Sequence, residues 1–211
     1  MRRGRFITFE GGEGTGKSTQ ARILAERSTP IAGEVVLTRE PGGSPGAEQL
    51  RGLLLQGDAE RWSPVAETLL MYAARADHLE GTIRPALERG AWVVCDRFLD
   101  STRAYQGAGG GVSVRLLETL ERHVVGETRP DLTLILDLPV DQGLARAAGR
   151  DALDRFEGRN RDFHEKLRQG FLAAAAAQPD RCVVIDASGD VDTVAEAIWA
   201  AVEARLAVEA G

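Results

Sequence analysis

The stretch Gly11-Gly12-Glu13-Gly14-Thr15-Gly16-Lys17-Ser18 constrains this chain more than any other. Its spacing is Gly-x-x-x-x-Gly-Lys-Ser, and it stands between the apolar run Arg5–Glu10 and a helical pattern that opens at Lys17. Each part has a physical reason. Glycines reach positive φ freely, so successive backbone N–H groups can turn inward as a nest for an anion. The helix that follows adds the positive end of its dipole and its unpaired first donors. Lys17 offers a slim cation for the β- and γ-phosphates of a nucleoside triphosphate, and Ser18 a hydroxyl for Mg2+. The eight residues and Thr19 beside them are the expected triphosphate site.

The rest of the chain alternates in the way such a loop requires. Short apolar runs read as strands at Arg5–Glu10, Val35–Thr38, Ala91–Cys95, Asp131–Asp137 and Arg181–Asp186. Helical patterns separate them. The first runs from Lys17 to about Arg27, followed by Ala47–Leu55, then Pro64 to about Ala76 behind an N-capping Ser63. Further patterns cover Leu79–Glu88, a stretch ending near Val125, one ending at Ala177, and Val191–Val208. Gly107–Gly111 reads as a flexible loop. This pattern predicts one α/β domain over residues 1–211, with a five-stranded parallel sheet flanked by helices. Ligands in such sheets bind beyond the carboxyl ends of the strands. That singles out Glu10, Arg39, Asp96, Arg97, Asp137 and Asp186.

Charge narrows the classes. Of 26 basic residues only Lys17 and Lys166 are lysines, the others being arginine. Against 32 acids the net charge is −6, which argues against a nucleic-acid coat but leaves room for a local cationic site. No apolar run approaches the ~20 residues of a membrane span, and Met1-Arg2-Arg3-Gly4 leads straight into the first strand. Cys95 and Cys182 each border an apolar run and form no Cys-x-x-Cys pair, so they read as buried thiols of a cytoplasmic protein.

Three kinds of phosphate-loop protein compete. A GTPase switch needs Asn-Lys-x-Asp, yet the second lysine lies in Glu165-Lys166-Leu167. The Leu-Ser-Gly-Gly signature of transporter ATPases is missing too. A small kinase needs an acceptor pocket and a lid, and candidates for both are present. Here the residues resemble the thymidylate kinases. The pieces lie in family order: Phe9-Glu10-Gly11 with the phosphate loop, Thr38-Arg39-Glu40-Pro41-Gly42-Gly43, Tyr72-Ala73-Ala74-Arg75, Asp96-Arg97-Phe98, Ser101-Thr102-Arg103-Ala104-Tyr105-Gln106-Gly107, and Arg129-Pro130-Asp131-Leu132-Thr133.

The resemblance implies transfer of the γ-phosphoryl group of ATP to dTMP, a step toward dTTP, with Mg2+ as cofactor and a homodimer as assembly. It implies Arg97 and Arg75 as clamps on the acceptor phosphate, with Arg39 nearby. Asp96 and Glu10 join Ser18 around Mg2+, and Glu10 also borders the substrate. Thr102, with Ser101, lies near the base, Tyr105 against the deoxyribose, and Gln106 beside them. Met71 stands where relatives place an aromatic ring on the base. The lid, about residues 140–159, carries Arg146, Arg150, Arg155 and Arg159. Because position 14 is glycine, the resemblance assigns the arginine that neutralises the transferring group to the lid, Arg150 first and Arg155 second, acting with Lys17 and Arg97. His78, His123 and His164 read as structural or surface residues. Two alternatives stay open: a nucleotide kinase with another acceptor, and a phosphate-loop ATPase switch that transfers nothing.

Overall fold

A computed structural model describes residues 3–58, 60–148, 156 and 159–206. Five strands form one all-parallel sheet: β1 (Phe6–Glu10), β2 (Val35–Arg39), β3 (Trp92–Asp96), β4 (Leu132–Asp137) and β5 (Cys182–Asp186). Their spatial order is β2-β3-β1-β4-β5. Every strand therefore lies within a residue or two of its predicted position, and the expected sheet is the one observed.

The strands are apolar on both sides because both sheet faces are covered. Alternation sorts them. Ile7, Phe9, Trp92, Val94, Leu134 and Leu136 face α1 (Lys17–Ala32) and α9 (Val191–Leu206), which bring Leu24, Trp199 and Val202. Phe6, Val93 and Cys95 face the opposite layer, with Phe98, Leu87 and Val125. The one polar pair in the sheet interior satisfies itself, Thr8 Oγ1 lying 2.7 Å from Thr133 Oγ1.

The chain leaves β1 toward one face and β3 toward the other, which opens a crevice at the carboxyl ends of these neighbours. The phosphate loop and the Asp96–Arg97 corner flank that crevice. Between β2 and β3 lie α2 (Pro45–Leu55), α3 (Pro64–His78), a wide π turn at Leu79–Ile83, and α4 (Arg84–Glu88). The predicted cap is present, with Ser63 Oγ accepting from Ala66 N at 3.3 Å.

Two local expectations need correcting. The first helix does not stop near Arg27 but runs through Pro30 to Ala32, although Pro30 has no N–H to bond the carbonyl one turn back. Residues 107–109 are not a loop. Short α5 (Leu99–Thr102) continues as a π helix over Arg103–Gly109, and Ala104, Tyr105 and Gln106 are buried in it. Its glycines serve close packing: a Cβ on Gly109 would lie 2.6 Å from the Phe163 ring. After this come α6 (Val114–Val124), α7 (Val140–Ala147) and α8 (Arg161–Ala177).

The sequence motif does not reveal what the phosphate loop rests on. Gly14, at φ 68, backs directly onto α7, and a Cβ there would meet Gly143 O at 2.0 Å. A Cβ on Gly143 would meet Glu13 O at 2.5 Å. Gly143→Ala is therefore expected to destabilise the fold by about 1–3 kcal/mol, the usual range for overpacking. Urea unfolding checks this, and an unchanged midpoint would mean that α7 gives way freely.

Candidate active site

A cleft open to solvent occupies the crevice. Residues Glu13 to Ser18, Arg39, Met71, Arg75, Asp96, Arg97, Ser101, Thr102, Tyr105 and Gln106 all line it, so a single cavity gathers side chains from five separate stretches of sequence. Glu10, Gly11, Gly12 and Thr19 are not in its wall. Gly11 and Gly12 border a smaller recess behind the loop, with Asp137, His164 and Arg168. Arg150 and Arg155 lie outside the described residues. Arg146 turns away, donating to the carbonyls of Ala187 and Ser188 at 3.0 and 3.3 Å.

The loop has the geometry of an anion nest. Gly16 caps α1 in the left-handed conformation at φ 87, and no side chain caps the helix, which leaves its first N–H groups available. Lys17 Nζ arches over the loop, donating to Gly12 O at 2.6 Å and to Thr15 Oγ1 at 3.2 Å. Burial and the nearby Arg97 charge bring its ammonium down to about 8, against the pull of Glu13, Asp96 and Glu10.

Across the crevice, Ser18 Oγ donates to Asp96 Oδ2 at 2.5 Å. The other oxygen, Asp96 Oδ1, is buried without a partner. A hydroxyl and a free carboxylate oxygen side by side are hard donors that fit a hydrated Mg2+ ion. Among the described residues no three His, Cys, Asp or Glu side chains form a metal cage, so a cation here would complete its shell with phosphate oxygens and water.

Arg97 follows Asp96 at φ 69, a left-handed backbone rare for a residue with a Cβ. It donates to Gly11 O at 3.1 Å, Ser101 Oγ at 3.2 Å and Glu13 Oε1 at 2.9 Å. Glu13 also accepts from the Tyr105 hydroxyl. Burial alone would raise the Glu13 carboxyl, but Arg97, Lys17 and Tyr105 outweigh it and hold it at about 2.

Glu10 is carried beneath the cleft, not into it. Its oxygens accept from Phe98 N at 2.9 Å and Ser101 Oγ at 2.5 Å. Burial first, then the Asp100 charge, push its carboxyl up to about 7. Glu10 thus braces the Arg97–Ser101 corner, which departs from its expected place beside the metal. Arg75 lines the cleft, is 2% exposed and is held by Glu40 at 2.7 Å, Phe98 O at 2.9 Å and Thr102 Oγ1 at 3.0 Å, with only Nη1 unpaired.

The sequence reading missed Arg51, Leu55 and Phe156 in the cleft wall. Arg51 Nη1 donates to Pro41 O at 2.6 Å, tying α2 to the Arg39–Gly43 turn. The signal was present, since Glu48, Arg51 and Leu55 share one helical face directly after that turn.

Comparison with known proteins agrees with this geometry. The family model for thymidylate kinase matches residues 9–198. The thymidylate kinase of Caulobacter vibrioides is 60% identical over 206 residues, covering 98% of this chain and 99% of the relative. That of Nitrobacter hamburgensis is 56% identical over 209 residues, covering 98% and 91%. The crystal structure of thymidylate kinase from Ehrlichia chaffeensis superposes with a TM-score of 0.79 at 34% identity, covering 95% of this chain and 99% of that one.

The depressed Lys17 ammonium sets a pH dependence. Below about 8 the side chain is charged and attracts a polyphosphate, and above it the charge is lost. Nucleotide affinity is expected to fall about tenfold from pH 7 to pH 9, with proton uptake on binding near pH 8. Calorimetric titration in buffers of different ionisation enthalpy reads both. Lys17→Met, which binds more weakly, is expected to lose this slope; a slope that persists in it would assign the effect elsewhere.

Proposed function

The chain belongs to the thymidylate kinase family, and from that premise we propose that its cleft transfers the γ-phosphoryl group of ATP to dTMP, giving dTDP and ADP. It is a nucleoside-monophosphate kinase built on a five-stranded parallel sheet. The observation that carries the proposal is the gathering of two cationic groups in one cleft: Lys17 at the nest, and Arg97 bonded to Gly11 O and Glu13 beside it.

The reaction needs no general base, because the nucleophile is a phosphate oxygen of dTMP that is already anionic near neutral pH. Catalysis is then alignment and neutralisation. The loop amides, Lys17 and Ser18 receive the triphosphate. Ser18 and Asp96 would hold Mg2+, which would neutralise phosphate oxygens. Arg97 receives the acceptor phosphate, with Arg39 and Arg51 at the same wall. Arg75 serves the base instead: its free Nη1 lies beside Thr102, one helical turn from Met71, and offers a donor to a base carbonyl. Tyr105 occupies the sugar side, its ring 5.0 Å from the Arg97 guanidinium. Arg150, with Arg155 as second choice, supplies lid charge to the transferring group.

The chain is read as one kinase domain with a lid at about 140–159. Exposed Val65 and Leu69 on α3 and Val114 on α6 give an apolar surface for a homodimer. Two free, buried thiols suit a reducing compartment such as the cytoplasm. No helix among the described residues is long and apolar enough to cross a membrane.

An ADP-release assay across a panel of acceptors tests the reading. Release is expected to be strongly stimulated by dTMP and weakly by CMP, UMP or AMP. Stimulation by another monophosphate alone would replace the substrate, and release without any acceptor would favour a switch. For the lid, Arg150→Ala is expected to lower kcat about a hundredfold with dTMP KM little changed, as befits charge met in the transition state. A pure rise in KM would move Arg150 to the acceptor side.

A further inference from the structure

Helix α3 lays Glu67, Met71 and Arg75 along one stripe at i, i+4 and i+8. Met71 and Arg75 line the cleft. Glu67 is 7% exposed and stands behind the wall, where its Oε1 accepts from Gln106 Nε2 at 2.7 Å. Gln106 itself lines the cleft and is one turn past Thr102, which meets Arg75. Arg75–Thr102 and Glu67–Gln106 are thus two successive levels of contact between the same pair of helical segments, and Met71 lies between them.

An amide can face either way, and only its partners decide. An ionised carboxylate accepts and never donates, so the Gln106 NH2 must face Glu67. What remains for a ligand is the carbonyl oxygen Oε1. Arginine, in turn, can only donate. Over Met71 the cleft therefore presents a donor, Arg75 Nη1, on one side and an acceptor, Gln106 Oε1, on the other. A 4-oxo pyrimidine carries the complement, an acceptor at O4 next to a donor at N3–H. A 4-amino pyrimidine carries the reverse at both atoms.

We propose that Glu67 is a positioning residue that fixes the polarity of the Gln106 amide, and so makes the cleft select a 4-oxo pyrimidine monophosphate over a 4-amino one. This rests on the kinase reading above and adds to it the residue that sets base choice from behind the wall.

The test compares kcat/KM for dTMP, dUMP and dCMP in the unsubstituted chain and in Glu67→Gln. With an amide behind it, Gln106 is no longer held to one orientation. The dTMP-to-dCMP ratio is expected to collapse about tenfold to a hundredfold, mainly through KM, with dUMP following dTMP. Glu67→Met, which fills similar space without an equivalent acceptor, is expected to give the same collapse and keeps the test open should the glutamine variant not fold. Gln106→Leu is expected to lose dTMP without gaining dCMP. If Glu67 serves only the N-terminus of α3, dTMP and dCMP decline together and the ratio stays fixed, which overturns the proposal. An unsubstituted chain that ignores dTMP overturns the kinase reading, and this inference with it.

Discussion

The corner at Arg97 decides where the rest of the site can stand. A non-glycine residue at φ 69 is strained by about 1–2 kcal/mol, and it persists only because its surroundings hold it. Arg97 N donates to Phe9 O at 2.8 Å, which extends the β1–β3 ladder one residue past the strand. Glu10 then takes the next amide, Phe98 N, and the Ser101 hydroxyl. The chain is turned sharply out of the sheet, and its guanidinium is aimed back at the phosphate loop. The cost appears in Glu10, whose carboxyl is raised to about 7 by burial and by Asp100. Its contribution is complete below the unfolded value of 4.5 and is lost as pH rises through 7.

That corner also explains the division of labour between lysine and arginine. Lys17 arches over a loop whose inward amides leave space for a single ammonium, and its own bonds go to loop atoms only. Arg97 spans Gly11, Glu13 and Ser101 at once, a reach that needs a planar fork. A net charge of −6 is compatible with this, because Glu13, Asp96 and Glu10 balance the cations locally until a nucleotide arrives.

What was legible in the sequence follows from the range of the interactions. The strand–loop–helix unit at β1, the Pro-Gly-Gly turn, the Ser63 cap and the alternation of strands with helices are written in neighbouring residues, and the structure has them. The contacts that were not legible join distant ones. Glu13 meets α7 through Gly143, and no local pattern marks a glycine that exists to admit a carbonyl. Nothing near Arg75 in the sequence tells that Glu40, 35 positions away, holds it. Residues 107–109 read as a loop because the intrinsic propensity of their glycines says so, and tertiary packing against α8 overrides it. Arg51 shares a helical face with Glu48 and Leu55, but only the placement of α2 turns that face to the cleft.

Specificity, too, depends on contacts between residues far apart in the sequence. Gly43, at φ 86, leaves no room for a Cβ, which would lie 2.3 Å from His78 Nε2. The turn therefore packs tightly on α3, His78 bridges Thr38 at 2.8 Å and Glu40 at 3.1 Å, and Glu40 fixes Arg75. A histidine that reads as structural is the far end of a chain of hydrogen bonds that reaches the cleft. Buried polar groups are almost always paired, so the exceptions carry information. Among the cleft-lining residues, buried unpaired atoms fall at Asp96 Oδ1 and Arg75 Nη1. One is an acceptor beside the phosphate loop and the other a donor beside Thr102. Each of these two buried atoms would find its partner only in a bound substrate complex.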